Sequence, residues 1–237
     1  MEKKMGVKQR RNPQYEEGVR HFLKKRWDAA LHSFQMVDAS NCSDSEKADI
    51  AYYLGLCYTK LERYNDALLY LEQVITGTAS PLRSCQCRLT LAYIYVITRR
   101  AKMAEFELDR LISSGFKSVQ IYTMLGYSAW VQKDTERAIE WYEQAIKIDG
   151  ENTTALNSLG YILADCEKDT KRGLELCKKA VQQKPQNAVY LDSLGWAYYK
   201  NGDINEARNC LRHALDIAPR QKEVINHMKE VIGNESP

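Results

Sequence analysis

The sequence predicts an all-α protein made of repeated helical hairpins. Its clearest segment, residues 188–219, has two apolar patterns of helical period on either side of a short turn. In that turn Gly202 can adopt the left-handed backbone that ends one helix, and Asp203 can cap the next. The same pattern recurs five times upstream, so a helical hairpin is the repeating unit of the fold.

Aligned positions give the period of this repeat. The small residue of the first helix falls at intervals of 37, 37, 34, 34 and 35 residues, at Gly18, Gly55, Ala92, Gly126, Gly160 and Gly195. Two positions of the second helix give parallel series, Ala30, Ala67, Ala104, Ala138, Gly173 and Ala207, and Val37, Val74, Leu111, Ala145, Ala180 and Ala214. Because small residues let two helix backbones approach closely, they mark the predicted contact within each hairpin.

The last hairpin closely resembles the tetratricopeptide repeat. Its residues match that family's pattern at nearly every defining position, in the order Leu191, Leu194, Gly195, Tyr198, Gly202, Ala207, Leu211, Ala214 and Pro219. The family's period is about 34 residues, and six such units occupy most of the 237 residues. The resemblance implies a right-handed superhelical α-solenoid of helix-turn-helix repeats with a concave groove.

The first three repeats are expected at about residues 12–42, 48–79 and 85–115. The first departs most from the pattern, with Glu17 where later copies have Leu, as is common in a terminal repeat. The second follows the pattern closely. The third is degenerate, since it has Ala92 in the glycine position and a basic turn at residues 99–102.

The last three repeats are expected at about residues 119–150, 153–185 and 188–219, which completes an array over residues 12–219. The fifth has one extra residue in its turn and Gly173 where other copies have Ala, which leaves its hairpin angle open. Residues 220–232 are apolar at helical spacing and are expected to cap the open end of the array. Residues 1–11 form a basic tail, and residues 233–237 a C-terminal tail.

Cysteine usage and hydropathy favour a cytoplasmic protein without membrane contact. The seven cysteines match no zinc spacing beyond a weak Cys85-x-Cys87 pair, and most fall on packing positions. We therefore expect small buried apolar residues in a reduced compartment. The longest apolar run, residues 89–97, is too short to cross a bilayer, and no run of signal-peptide length follows the charged N-terminus.

Catalytic chemistry has little support in the sequence. The four histidines, His21, His32, His213 and His227, lie far apart on helix faces. No phosphate loop, nucleophile motif or metal-ligand spacing lies near them. We therefore expect no enzyme activity, no metal and no cofactor.

One side of each first helix is left for binding. With the small residue numbered 8 in each repeat, positions 2, 5, 9, 12 and 13 share a side that faces neither the partner helix nor the next repeat. The resemblance implies that this side lines the concave groove. We expect the partner-binding residues to be Tyr52, Leu56, Tyr93, Val96, Ile97, Tyr127, Trp130, Val131, Tyr161, Trp196 and Tyr199.

This stripe predicts a protein–protein interaction module that binds a partner helix or peptide. A self-associating homo-oligomeric scaffold is the alternative. For the third repeat, whose helix at residues 88–97 is apolar nearly all round, burial inside a tight superhelix or under the C-terminal helix is a further explanation.

Two other partner classes are disfavoured. One tetratricopeptide subtype clamps the acidic C-terminus of a chaperone through Lys and Asn at groove positions 5 and 9. Here those positions are Tyr15 and Val19, Tyr52 and Leu56, and Leu89 and Tyr93, so no such clamp is expected. Nucleic-acid binding is a weaker alternative, based on Lys3, Lys4, Lys8, Arg10, Arg11, Arg20, Lys24, Lys25 and Arg26, because the net charge is only +3 and a solvated tail is the commoner explanation.

Overall fold

The computed structural model describes residues 12–77 and 80–233. Within these residues it contains thirteen α-helices and no strand, which confirms the all-α prediction. The helices are α1 (Pro13–Leu23), α2 (Trp27–Gln35), α3 (Asp44–Lys60), α4 (Tyr64–Thr76), α5 (Pro81–Ile97), α6 (Ala101–Ser113), α7 (Val119–Val131), α8 (Thr135–Ile148), α9 (Thr153–Asp165), α10 (Thr170–Gln183), α11 (Ala188–Lys200), α12 (Ile204–Ile217) and α13 (Lys222–Gly233). The predicted tail at residues 1–11 lies outside the described residues, as does the predicted tail at residues 233–237 except for Gly233, which ends α13.

The chain divides into two compact units between Ser114 and Gly115. In unit 1, helices α1 to α6 form three consecutive antiparallel pairs, each packed on the next. In unit 2, helices α7 to α12 form three more pairs, and α13 packs against α12 and α11. Each unit therefore has its own helical core.

Two first helices begin earlier than the sequence predicted. Helices α3 and α5 are 17 residues long and start at Asp44 and Pro81, ahead of the expected limits at residues 48 and 85. A capping box between Ser43 and Glu46 starts α3, and the Ser80 hydroxyl caps α5. These caps satisfy free backbone N–H groups one turn upstream of the repeat pattern, so the helices are longer than the pattern.

The turn inside each helix pair uses one left-handed residue. Gly202 has a φ of 84°, which confirms the predicted role of this glycine. The five earlier turns hold a non-glycine residue with a φ of 53° to 64°, namely Lys25, Glu62, Arg99, Lys133 and Glu167. Such residues adopt this conformation at a cost of about 1 kcal/mol each, so the packing of the two helices determines the turn rather than its local sequence.

The closest contact within most helix pairs lies between a first-helix glycine and a side chain sixteen residues later. A methyl group built on the glycine would lie 2.7 to 2.8 Å from that side chain in the pairs Gly18–Phe34, Gly55–Leu71, Gly126–Tyr142 and Gly195–Leu211. Such distances are shorter than a van der Waals contact, so a larger residue at these glycines would require the facing side chain or the helices to shift. The small-residue series thus marks real interhelical contacts.

The fifth repeat packs more closely still, because both helices carry glycine at the contact. A Cβ on Gly160 would lie 2.8 Å from the carbonyl oxygen of Gly173, and a Cβ on Gly173 would lie 2.7 Å from the oxygen of Gly160. The side chain that covers Gly160 is Cys177, seventeen residues later because of the extra residue in the turn. Residue 173 is Gly where the other repeats have Ala, and this permits direct contact between the two helix backbones.

We predict that Gly173→Ala lowers the free energy of unfolding by about 1–3 kcal/mol, because the methyl group would meet the α9 backbone. The measurement is urea unfolding followed by circular dichroism. Gly150→Ala is the matched control, since the nearest atom to its added Cβ is 3.8 Å away, and it should change stability by less than about 0.5 kcal/mol. Equal stability of the two variants would contradict the backbone contact.

Candidate functional site

Unit 1 presents an apolar surface on the expected sides of α3 and α5. Tyr93 and Ile97 of α5 are 45 % and 39 % exposed, and Leu56 and Val96 are half-buried. Tyr93 and Ile97 are therefore the most exposed residues of the predicted surface in this unit. Within unit 1, the two α5 side chains are accessible.

Tyr52 has a more polar setting than the sequence suggested. The guanidinium of Arg83 lies 4.4 Å from the centre of its ring and forms an ion pair with Asp49. Burial raises the pKa of the Tyr52 phenol, and the nearby cation partly offsets that effect. The part of the predicted surface around Tyr52 of α3 is thus both aromatic and charged.

In unit 2 the structure brings the α7 and α9 residues together. Tyr127 and Val131 are each 41 % exposed, and Trp130 is half-buried. The rings of Trp130 and Tyr161 meet edge to face, with 6.2 Å between their centres. These four side chains, Tyr127, Trp130, Val131 and Tyr161, are called the unit 2 aromatic face below.

Trp196, by contrast, is not open to a partner. It is only 4 % exposed because the ring of His227, from α13, stacks on it with centres 4.2 Å apart. His227 Nδ1 lies 2.9 Å from Asp192 Oδ1, which fixes the imidazole over the indole. The expectation that Trp196 lines an accessible groove is therefore corrected.

Tyr199 is also partly covered. It is half-buried, lies 5.1 Å from Trp196 between ring centres and packs against the apolar cluster beneath α13. The indole N–H of Trp196 donates a 2.8 Å hydrogen bond to Asp165 Oδ1. Trp196 and Tyr199 are thus both engaged in contacts within the chain.

Helix α13 covers two surfaces at once. Val224 and Val231 are fully buried against Leu191, Leu211 and neighbouring small residues, as expected of a helix that caps the last repeat. His227 lies on another side of the helix and reaches α11. The alternation of apolar and polar residues in the sequence predicted the cap, but it did not show where the polar side would lie.

A pocket of about 440 Å³ opens in unit 2 where α7, α9 and α11 face the start of α13. Its lining combines aromatic rings with polar groups, from Tyr127, Trp130, Tyr142, Asn157, Ser158, Tyr161, Ile162, Val189, Asp192, Ser193, Gln221, Glu223, Asn226 and His227. Gln221, Glu223, Asn226 and His227 were missed as site residues because the final segment was interpreted only as a cap. The polar positions of that segment are the signal that could have indicated them.

Carboxylates surround the aromatic part of this pocket. Burial is the main cause that raises the pKa of Tyr161 above its usual range, and Asp165, Asp192 and Glu230 raise it further. Burial also raises the pKa of Tyr142 to about 12. Both phenols are therefore neutral at pH 7 and can act as hydrogen-bond donors.

The cysteines behave as packing residues where they are buried. Burial raises the pKa of Cys57, Cys87 and Cys177 to about 12, and burial is also the main cause that raises the pKa of Cys210 to about 11. These thiols are protonated at neutral pH and poorly nucleophilic. Within residues 12–77 and 80–233 no three His, Cys, Asp or Glu side chains are grouped as metal ligands, and no helix has the length and apolarity that a bilayer requires.

The basic residues on which the nucleic-acid-binding alternative rests fall in two groups. Arg20, Lys24, Lys25 and Arg26 are exposed at the end of α1 and in the following turn. Lys3, Lys4, Lys8, Arg10 and Arg11 lie outside the described residues.

Comparison with known families identifies three segments of the chain. Residues 49–76, 119–152 and 188–221 each match a family model of the tetratricopeptide repeat. No curated protein matches the sequence.

Solved structures share the fold at low sequence identity. YrrB, described as a TPR protein with an unusual peptide-binding site, is 18 % identical with a TM-score of 0.61, over 84 % of this chain and 99 % of its own. The Cut9–Hcn1 structure of the APC/C gives 11 % identity and a TM-score of 0.74 over 92 % of this chain, but only 42 % of the matched chain. The structure described as MamA MSR-1 C2 is 21 % identical in sequence with a TM-score of 0.57, over 73 % of this chain and 98 % of its own.

We predict that His227→Ala exposes Trp196, because the imidazole is the ring that stacks on it. The Trp196 indole N–H signal in an NMR spectrum should shift and exchange faster with solvent. Lys229→Ala is the control, since Lys229 is exposed on the same helix and should leave the signal unchanged. An unchanged Trp196 signal in the His227 variant would show that α13 does not cover this residue in solution.

Proposed function

Since the chain is a tetratricopeptide repeat protein, and such repeats generally serve as non-catalytic protein-interaction modules, we propose that it is an adaptor for a partner helix or peptide. The partner segment binds to the aromatic sides of the first helices. Catalysis plays no part in this function. The proposed location is the cytoplasm, in keeping with seven free cysteines.

The observation that carries this proposal is the unit 2 aromatic face beside its pocket. Tyr127 and Val131 are exposed, and Trp130 and Tyr161 hold each other in a fixed orientation. Rigid, partly exposed aromatic side chains provide large contact areas with little loss of side-chain entropy, which is why they dominate many interfaces. A pocket at their edge can hold one side chain of the partner.

Unit 1 offers a second proposed binding surface. It consists of Tyr52, Leu56, Tyr93, Val96 and Ile97, of which the α5 residues are the most accessible. Trp196 and Tyr199 are left out of the proposed site, because α13 and their mutual packing already cover them. The resulting site is smaller than the stripe expected from the sequence. The description of YrrB as a peptide-binding repeat protein supports a peptide as ligand.

Self-association is a second candidate because apolar residues are also exposed on second helices. Leu69 of α4 and Met103 and Phe106 of α6 are exposed in unit 1, on helices that carry none of the proposed groove residues. Solvent-exposed apolar side chains of this size favour contact with a second protein surface. Light scattering across a dilution series distinguishes the two functions, since an adaptor stays monomeric and a scaffold shows a larger mass that falls on dilution.

We predict that Tyr127→Ala combined with Trp130→Ala removes the partner in affinity capture from the source cell, because it removes two rings of the unit 2 aromatic face. The control is Ile148→Ala with Ile217→Ala, which removes exposed apolar side chains from second helices of the same unit. Capture should fall at least tenfold in the first variant and stay unchanged in the second. Thermal melting of both variants checks that the helices remain folded. Equal capture by both would contradict the proposed surface.

A further inference from the structure

We propose that the unit 2 pocket receives a basic side chain, Arg or Lys, from the partner segment. This inference rests on the proposed function and names the chemistry that the pocket recognises. Its support comes from three features of the lining: aromatic rings, carboxylates in a lining that holds no Arg or Lys, and a buried amide oxygen without a hydrogen-bond donor.

The rings of Trp130, Tyr127 and Tyr161 form the aromatic part of the pocket. The electron-rich face of such a ring attracts a cation within about 6 Å of its centre, and indole does so best. The aliphatic stem of Arg or Lys can pack against the same rings, since these side chains bury their methylene groups while the charged end reaches polar atoms.

The charged lining residues are acidic. Asp192 and Glu223 contribute carboxylates, and the lining includes neither Arg nor Lys. Asp192 contacts His227 through Oδ1, and its carboxylate lies at the pocket wall. Burial is the main cause of the raised pKa of Tyr161, and three nearby carboxylates add to it, in keeping with negative charge beside the rings. An incoming cation therefore meets favourable charge, whereas an acidic peptide terminus would be repelled.

Asn157 provides the third and independent observation. Asn157 lines the pocket and is only 6 % exposed. Its side-chain oxygen Oδ1 is buried without a hydrogen-bond partner in the described structure. A buried acceptor in this state costs free energy that a donor removes. A guanidinium or ammonium group that enters the pocket brings N–H donors to this lining residue and carries no competing acceptor.

The test uses short capped peptides with one central residue flanked by glycines. The central residue is Arg, Lys, Glu or citrulline, which has the shape of Arg without its charge. Each peptide is titrated into the full ¹⁵N-labelled chain, and the Trp130 indole and Asn157 amide signals are followed. The Arg or Lys peptide should shift these signals to saturation, and the citrulline peptide should bind about tenfold more weakly.

Variants locate the binding site. Asp192→Asn retains an oxygen for His227 but removes the charge, and should weaken the Arg or Lys peptide about tenfold. Glu223→Gln, at an exposed position, should weaken it about two- to threefold. The control is Glu140→Gln, an exposed carboxylate on α8 outside the pocket, which should leave binding unchanged.

Equal binding of the Arg and citrulline peptides, tighter binding of the Glu peptide, or the absence of any shift at these two signals would overturn the basic-side-chain pocket. The proposed adaptor function is tested separately by partner capture. Loss of capture in the Tyr127 and Trp130 variant, combined with no response to the basic peptides, would refute the pocket and leave the adaptor intact. Response to the peptides with unchanged capture would refute the adaptor surface alone.

Discussion

The contact between a first-helix glycine and the side chain sixteen residues later is the constraint on which most of the structure depends. In the pairs that use it, a Cβ added to the glycine would lie within 2.8 Å of that side chain, so the glycine permits the close approach of its two helices. Once that side is fixed, the helix geometry of 3.6 residues per turn determines which side chains point away from the partner helix. Helical spacing places Tyr127, Trp130 and Tyr161 on that side, and they belong to the proposed binding surface of unit 2.

Helix α13 changes which residues of the proposed site are accessible, and the repeat pattern does not predict this because α13 lies outside the repeats. Its apolar residues cap the last helix pair, and His227 joins Asp192 and Trp196 on the groove side. The sixth repeat thus loses most of its accessible groove side, while the fourth and fifth keep theirs. The first half of α13 becomes one wall of a pocket with acidic character. The position of the proposed binding site within unit 2 therefore depends on the capping helix.

Most of the fold could be predicted because the packing positions recur at a fixed period. The small-residue series located the helix contacts, and Gly202 located its turn. The left-handed residues of the other turns, such as Lys133, were not predictable, since no local preference marks a conformation that tertiary packing imposes. Within the proposed site, Tyr127, Trp130 and Tyr161 came from helical spacing together with the family resemblance that identifies the groove side. The cover on Trp196 did not, because contacts between α13 and α11 are nonlocal and occur only once in the chain.

The most direct test is hydrogen–deuterium exchange of the full chain with and without its captured partner. Binding should slow exchange in α7 and α9, which form the aromatic face, and in the first half of α13, which forms part of the pocket wall. The second helices α8, α10 and α12 should be little changed, because they carry none of the proposed groove residues. Protection confined to those second helices, with α7 and α9 unaffected, would contradict the account.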